Sequence, residues 1–288
     1  MLLNPPDLLA RDIHVWRFSL LAAPPHDISE YIEDADQARA DRFVFACDKD
    51  KFLRARYVTR KLLGHYLDID PKILRLCSNK HGKPLLPAHQ GISFNLSHAG
   101  NRGLFAIGKG IEIGVDIEEL RIPADLRGLA NSIFSVEEIR ALGGLPDSEL
   151  RSTFFTCWTR KEAYLKALGV GLTIEPSSIT VGVTPDRRQI GVLGNARSNF
   201  VEVTSIAHEG NYCAALAAVG GYSTHRLFDF DHSAPPELEP LSIVRRTPFG
   251  EGLQAQMPGE ARQLLSLATG KHSGYRAQVA SDFNDAKR

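Results

Sequence analysis

The sequence predicts an α/β protein, in the mixed α+β sense, made of two similar halves. Three observations carry this. Residues 111–118 alternate: Ile111, Ile113, Val115 and Ile117 share one face, and Glu112, Gly114, Asp116 and Glu118 share the other, as a half-buried strand requires. Residues 154–168 set Phe154, Phe155, Trp158, Leu165 and Leu168 along one stripe at roughly 100° per residue, the helical period. Strand-like and helix-like segments of similar length lie on either side of residues 110–127, a weak duplication. The expected organisation is an N-terminal α/β half over residues 1–110, a C-terminal α/β half over residues 111–222 with the charged motifs, and a disordered polar tail over residues 223–288.

The elements follow in order. Residues 13–18 alternate as a short strand, and residues 27–46 read as a charged helix containing Arg39, Arg42, Phe43 and Phe45. Residues 48–67 form a longer helix, apolar through Phe52, Ala55, Val58, Leu62 and Leu63 and basic through Lys51, Arg54, Arg56, Arg60 and Lys61. Most of those basic residues read as a solvated face. Residues 73–77 resemble a short strand, and Asn79-Lys80-His81-Gly82-Lys83-Pro84 is a turn by composition, with Lys83 presented at its end. Strands are expected over 92–96 and 102–109, the second hairpin-linked to the Gly114 segment. Residues 123–131 read as a short helix or turn. Ser135 and Glu138 have the spacing of a capping box ahead of another helix. After the central helix, residues 179–183, 191–193, 200–206 and 212–219 read as strands. The tail carries scattered prolines, with one short helix expected over 258–269.

With 288 residues and 43% hydrophobic content, the chain can bury a sizeable core. Its 34 basic and 34 acidic residues balance, which argues against a general nucleic-acid binder. Cys47, Cys77, Cys157 and Cys213 share no metal-ligand spacing. Each sits among apolar residues, so buried free thiols in a reducing compartment are expected. Two prolines, Pro5 and Pro6, break the first residues, and no apolar run approaches the roughly 20 residues that span a membrane. A cytoplasmic monomer meeting neither nucleic acid nor membrane is the expectation.

The chemistry concentrates in the strand at 114–118 and the helix that follows. Side chains two apart on a strand point the same way, so Asp116 and Glu118 are neighbours. Paired hard oxygens suit Mg²⁺, which keeps several waters and takes few carboxylates plus substrate phosphates; an ordinary solvated strand face would alternate in the same way. Lys161 and Glu162 fall inside the apolar stripe of the helix, where a charge is costly unless it meets a partner, a ligand or a metal. Lys166 lies one turn beyond Glu162, a spacing that a plain helical ion pair also explains. His98, after Ser97 and before Gly100, is placed to donate to an anion, although a lone histidine is more often structural. If the cations Lys83, His98, Lys161 and Lys166, with Arg39 and Lys51, converge on the carboxylates, the matching ligand carries several phosphates. Neither a G-x-x-x-x-G-K-[ST] loop nor a G-x-G-x-x-G fingerprint nor a G-x-S-x-G elbow is present.

Gly114-Val115-Asp116-Ile117-Glu118 with Trp158-Thr159-Arg160-Lys161-Glu162-Ala163-Tyr164-Leu165-Lys166 resembles the paired signature of the 4′-phosphopantetheinyl transferases, in the long Sfp-type class. Gly82-Lys83-Pro84, Phe94-Asn95-Leu96-Ser97-His98-Ala99-Gly100 and Phe134-Ser135-Val136-Glu137-Glu138 are similar to further motifs of that class, in the same order. The resemblance implies two α/β halves packed as a pseudo-dimer with a coenzyme A cleft between them. It implies transfer of the 4′-phosphopantetheine of coenzyme A to a serine of an apo acyl, peptidyl or aryl carrier protein, with release of adenosine 3′,5′-bisphosphate. It also implies roles: Asp116, Glu118 and Glu162 as Mg²⁺ (or Mn²⁺) ligands; Glu162 as general base; Asp116 and Lys166 in catalysis; and Arg39, Lys51, Lys83, Ser97, His98, Lys161 and Lys166 as contacts to coenzyme A. Asp36 stands where some members carry a lysine, and Lys51 where arginine is common. Another Mg²⁺-dependent transferase or hydrolase acting on a nucleotide pyrophosphate and a non-catalytic coenzyme A-binding or scaffolding protein are the competing readings.

Overall fold

Alternation and helical periodicity resolve into a layered α/β arrangement in the computed structural model. It describes residues 7–21, 25, 27–86, 89, 91–121, 125–192, 198–206, 210–230 and the backbone of Ser242–Arg245. Strand β1 (Ile13–Ser19) leads into a 3₁₀ turn (Ile28–Tyr31) and helices α1 (Asp34–Ala40) and α2 (Ala46–Leu67). A small hairpin, β2 (Cys77–Ser78) with β3 (Pro84–Leu85), precedes β4 (Ile92–Ala99), β5 (Arg102–Lys109) and β6 (Ile113–Glu119). Then come α3 (Leu126–Ile133), α4 (Val136–Gly143) and α5 (Asp147–Leu168), followed by β7 (Arg188–Gly191), β8 (Phe200–Ser205), β9 (Tyr212–Val219), β10 (Thr224–Phe230) and β11 (Ser242–Arg245).

One sheet runs β11-β10-β1-β5-β4 and another β6-β9-β8-β7. Three apolar clusters stack these elements into four layers. Helix α2 covers the outer face of the first sheet through Ala55, Val58, Leu62 and Leu63 against Trp16, Phe18, Phe105 and Phe228. The inner faces meet through Val15, Leu104 and Ala106 against Ile113, Val115, Ile117 and Leu216. Helix α5 covers the outer face of the second sheet, packing Phe154, Cys157 and Leu165 near Val201, Val203, Ala215 and Ala217. The expected α/β class therefore holds, and the apolar face of β6 is the one its alternation assigns. The capping box is present too, with Ser135 Oγ accepting from Glu138 N–H and Glu138 Oε2 accepting from Ser135 N–H.

Several expectations need correction. Residues 27–46 are not one helix: they divide into the 3₁₀ turn and α1, and α2 begins at Ala46. Of residues 73–77 only Cys77 enters a strand. Residues 179–183 form no strand, because side chains serve their backbone instead of a ladder. Val181 N–H donates to Glu138 Oε1 (2.7 Å), and Val181 O accepts from Arg160 Nε and Nη2 (3.1 and 2.9 Å). Cys47 and Cys77 are exposed rather than buried, although all four thiols are free.

The tail expected from residue 223 needs correction at Thr224–Phe230 and Ser242–Arg245, while residues 231–241 and 246–288 lie outside the described residues. Thr224–Phe230 is an inner strand of the first sheet, parallel to β1 in the register Ile13↔His225, and β11 pairs with it in turn. Leu227 and Phe228 are buried. The helix expected at 258–269 lies outside the described residues. Among those residues, no helix is long and apolar enough to cross a membrane.

Candidate active site

The site forms where the two sheets present edges to each other. Strand β4 ends the first sheet and β6 ends the second, and no backbone ladder joins them. Side chains satisfy the open edge of β6 instead, as a buried strand edge demands. Asn95 Oδ1 accepts from Val115 N–H (2.8 Å) and Ser97 Oγ from Ile117 N–H (3.4 Å). On the carbonyl side, Lys83 Nζ donates to Ile113 O (3.0 Å) and Lys166 Nζ to Val115 O (3.4 Å).

The outer face of β6 carries Gly114, Asp116 and Glu118 beneath α5. Gly114 makes the approach possible. A Cβ there would stand 2.1 Å from Ala163 O and 2.4 Å from Ala167 N, both backbone atoms of α5. The helix thus rests directly on the strand, and its residues Glu162 and Lys166 reach the carboxylate face. Lys166 Nζ lies 2.6 Å from Asp116 Oδ1 and 3.0 Å from Ser97 Oγ, while Ser97 Oγ donates to the same Asp116 oxygen at 2.8 Å. Asp116 is only 2% exposed, and its Oδ2 is buried with no hydrogen-bond partner. Glu118, 6% exposed, accepts from Trp158 Nε1 at 3.2 Å through Oε1.

Cavities open on both sides of this cluster. One of about 520 Å³ is lined by Arg39, Lys51, His98 and Glu118, together with Phe43 and Phe52. It joins the basic residues expected at a polyphosphate to one of the carboxylates. Arg39 lies over the Phe52 ring, 5.3 Å from its centroid. Asp36 is engaged with Arg56 (3.1 Å). The other cavity, about 260 Å³, is lined by Lys83, Asn95, Leu96, Glu162 and Lys166. A larger space of about 670 Å³ between Arg11, Ser93, Glu112 and Gly220 holds none of the expected site residues.

Three placements differ from expectation. Lys161 lines neither cavity: it is fully buried, its Nζ 2.7 Å from Glu138 Oε2 and also donating to Pro176 O and Ile179 O. A charge in an apolar stripe needs a partner, and here the capping-box glutamate supplies it. Burial alone would raise the Glu138 pKa. The adjacent Lys161 charge and the hydrogen bonds from Lys161, Ser135 and Val181 outweigh that and hold it below the ordinary carboxylate value. Lys83 is not presented by its turn: its side chain is 8% exposed and burial lowers its pKa despite nearby Glu112. Finally, among the described residues no three His, Cys, Asp or Glu side chains stand close enough to form a ready-made metal cage. Lys166 takes an oxygen of Asp116, Trp158 one of Glu118, and Glu162 lines the smaller cavity. The roles of Asn95, which reaches from β4 to β6, and of Trp158, which reaches from α5 to β6, escape sequence reasoning, because a bond to a distant element leaves no periodic signal.

With this geometry in view, similarity to known proteins is informative. Residues 112–217 match the family model described as the 4′-phosphopantetheinyl transferase superfamily, and residues 25–107 match the model for the N-terminal part of 4′-phosphopantetheinyl transferases. The chain is 37% identical over 189 residues to the 4′-phosphopantetheinyl transferase HetI of a Nostoc species, covering 63% of this chain and 79% of that one. It is 29% identical to the mouse L-aminoadipate-semialdehyde dehydrogenase-phosphopantetheinyl transferase, covering 56% of this chain and 55% of the other. Among solved structures, Thermotoga maritima holo-[acyl-carrier-protein] synthase aligns with a TM-score of 0.32 at 22% identity, over 43% of this chain and 71% of that one, too slight a likeness to argue from. The chain belongs to the 4′-phosphopantetheinyl transferase superfamily, and it is a transferase of that type.

Proposed function

We propose that this chain transfers the 4′-phosphopantetheine group of coenzyme A to a serine of an apo acyl or peptidyl carrier protein. The reaction would lie at the cavities that flank the seam of β4 and β6. The observation that carries this reading is the Lys166–Asp116–Ser97 cluster beside a cavity lined by Arg39, Lys51 and His98. Together these residues offer cations for the several phosphates of coenzyme A beside a carboxylate face.

Hard carboxylate oxygens, with the buried Asp116 Oδ2 lacking a hydrogen-bond partner, fit a divalent cation such as Mg²⁺ or Mn²⁺, which Asp116 and Glu118 would hold. When bound, such an ion supplies charge neutralisation at the pyrophosphate. The chain's own groups do the rest. Glu162 takes the proton from the carrier serine hydroxyl, whose oxygen bonds to the β-phosphorus of coenzyme A. The bond from that phosphorus to the bridging oxygen breaks, and adenosine 3′,5′-bisphosphate leaves with the electron pair. Lys166 stabilises the charge that develops on the leaving phosphate. Arg39, Lys51 and His98 hold the nucleotide phosphates in the larger cavity. Lys83, whose ammonium is committed to carbonyls, supports the wall of the smaller one. We read the two helix-on-sheet units as the halves of the pseudo-dimer.

Intact-mass spectrometry of an apo carrier protein incubated with this chain, coenzyme A and Mg²⁺ tests the reading. The expected result is a mass gain of one phosphopantetheine, lost with EDTA and reduced about 10²- to 10⁴-fold by Glu162→Gln. Coenzyme A binding should persist in that variant. No gain on acyl, peptidyl and aryl carriers, or unchanged turnover by Glu162→Gln, would overturn it.

A further inference from the structure

Both proposed reacting groups of α5 lie in its last two turns, and the end of a helix is its least constrained part. An α-helix leaves its last four carbonyls without internal partners. Here Gly169, at φ 65°, turns its N–H back onto Leu165 O and Lys166 O. The next groups are met from the other half of the chain. Lys83 Nζ reaches Ala167 O at 3.4 Å, and Asn79 Nδ2 donates to Gly169 O at 2.8 Å. The packing is close: a Cβ on Gly169 would lie 3.2 Å from Asn79 Nδ2.

The turn that carries these two residues is itself built by Asn79. Its Oδ1 accepts from His81 N–H (2.8 Å) and Lys83 N–H (3.0 Å), and its main chain pairs with Lys83 O (2.9 Å). The β2–β3 hairpin closes the stem. One side chain therefore folds the turn with its oxygen and grips the helix end with its nitrogen.

We infer that Asn79 is a positioning residue for the transfer reaction. Through the C-terminus of α5 it fixes the height of Lys166 over Asp116 and of Glu162 beside it. It touches neither reacting group. This rests on the transfer reading above, and turnover by the unaltered chain tests that reading separately.

Asn79→Asp isolates the grip. A carboxylate keeps an acceptor for His81 and Lys83 but cannot donate to Gly169 O. Asn79→Ser likewise keeps a local acceptor and loses the reach. In steady-state assays of the full chain with coenzyme A, Mg²⁺ and apo carrier, both variants should lose about tenfold or more in kcat, as small displacements of reacting groups do. KM for coenzyme A should stay within about twofold, since phosphate contacts in the larger cavity are untouched. Asn79→Gln, which retains the donor, should recover part of the loss. A kcat within about twofold of the unaltered chain would overturn the inference. So would a rise in KM alone, which would make Asn79 a nucleotide contact, or a loss in both variants that only tracks the folded fraction.

Discussion

Replacing Gly114 by Ala adds one methyl group at the point where α5 meets β6. The added carbon would lie 2.1 Å from Ala163 O, 2.4 Å from Ala167 N and 2.9 Å from the carbonyl carbon of Lys166. These are backbone atoms of a buried helix, so no flexible side chain can swing aside. The helix must lift by roughly 1 Å to restore ordinary contact. Overpacking of this kind costs about 1–3 kcal/mol, and each kcal/mol lowers the melting temperature of a domain this size by about 2–4 °C. The effect on turnover should be larger. The lift moves Lys166, now 2.6 Å from Asp116, and Glu162 together, and misplacement by about 1 Å costs about 10²-fold. Thermal unfolding gives the first quantity and the initial rate of carrier modification at saturating coenzyme A gives the second. A Gly114→Ala chain with normal melting and a normal rate would refute the claim that helix–strand contact sets the site.

Other perturbations have equally direct outcomes. Lys161→Ala leaves Glu138 as an uncompensated buried charge, which costs about 3–5 kcal/mol. Circular dichroism melts should show severe destabilisation, and a stable variant with only a raised KM for coenzyme A would restore Lys161 to the ligand site. Stability should also fall on acidification. Burial, with the charge of Arg226 adding to it, lowers His14 to a pKa of about 4, and burial with Arg187 lowers His225 to about 4. The unfolded chain takes up these protons near 6.5 while the folded chain resists them, so the stabilisation is complete above pH 6.5 and is lost between there and about 4. Urea midpoints at pH 7, 5.5 and 4.5 should decline in that order, and less steeply for His14→Gln combined with His225→Gln.

The reach of the sequence can be judged residue by residue. Asp116 and Glu118 were readable because a strand's period of two admits one arrangement once the isoleucines are buried. The need of Lys161 for a counter-charge was readable as well, but its identity was not. Glu138 sits on a different helix, and only packing brings the two together. Residues 179–183 have the composition of a strand, yet Glu138 and Arg160 meet their backbone groups, which no local pattern records. Strand β10 was missed for a related reason. It lies between two other strands, with Leu227 and Phe228 both buried, so it lacks the alternation of a half-exposed strand.

The position of β10 also governs how the protein can be made. Asp12 and Thr224, hydrogen-bonded at the start of neighbouring strands, are 212 positions apart. On a ribosome adding about 5–20 residues per second, β1 therefore leaves the exit tunnel many seconds before its parallel neighbour exists. Until then one edge of β1 is bare, and Trp16 lacks the Phe228 ring that stacks on it at 4.7 Å. Contacts so distant in sequence slow folding far more than they weaken the finished structure. The halves that look separable along the sequence are thus joined at birth: the first to be synthesised is the last to be completed.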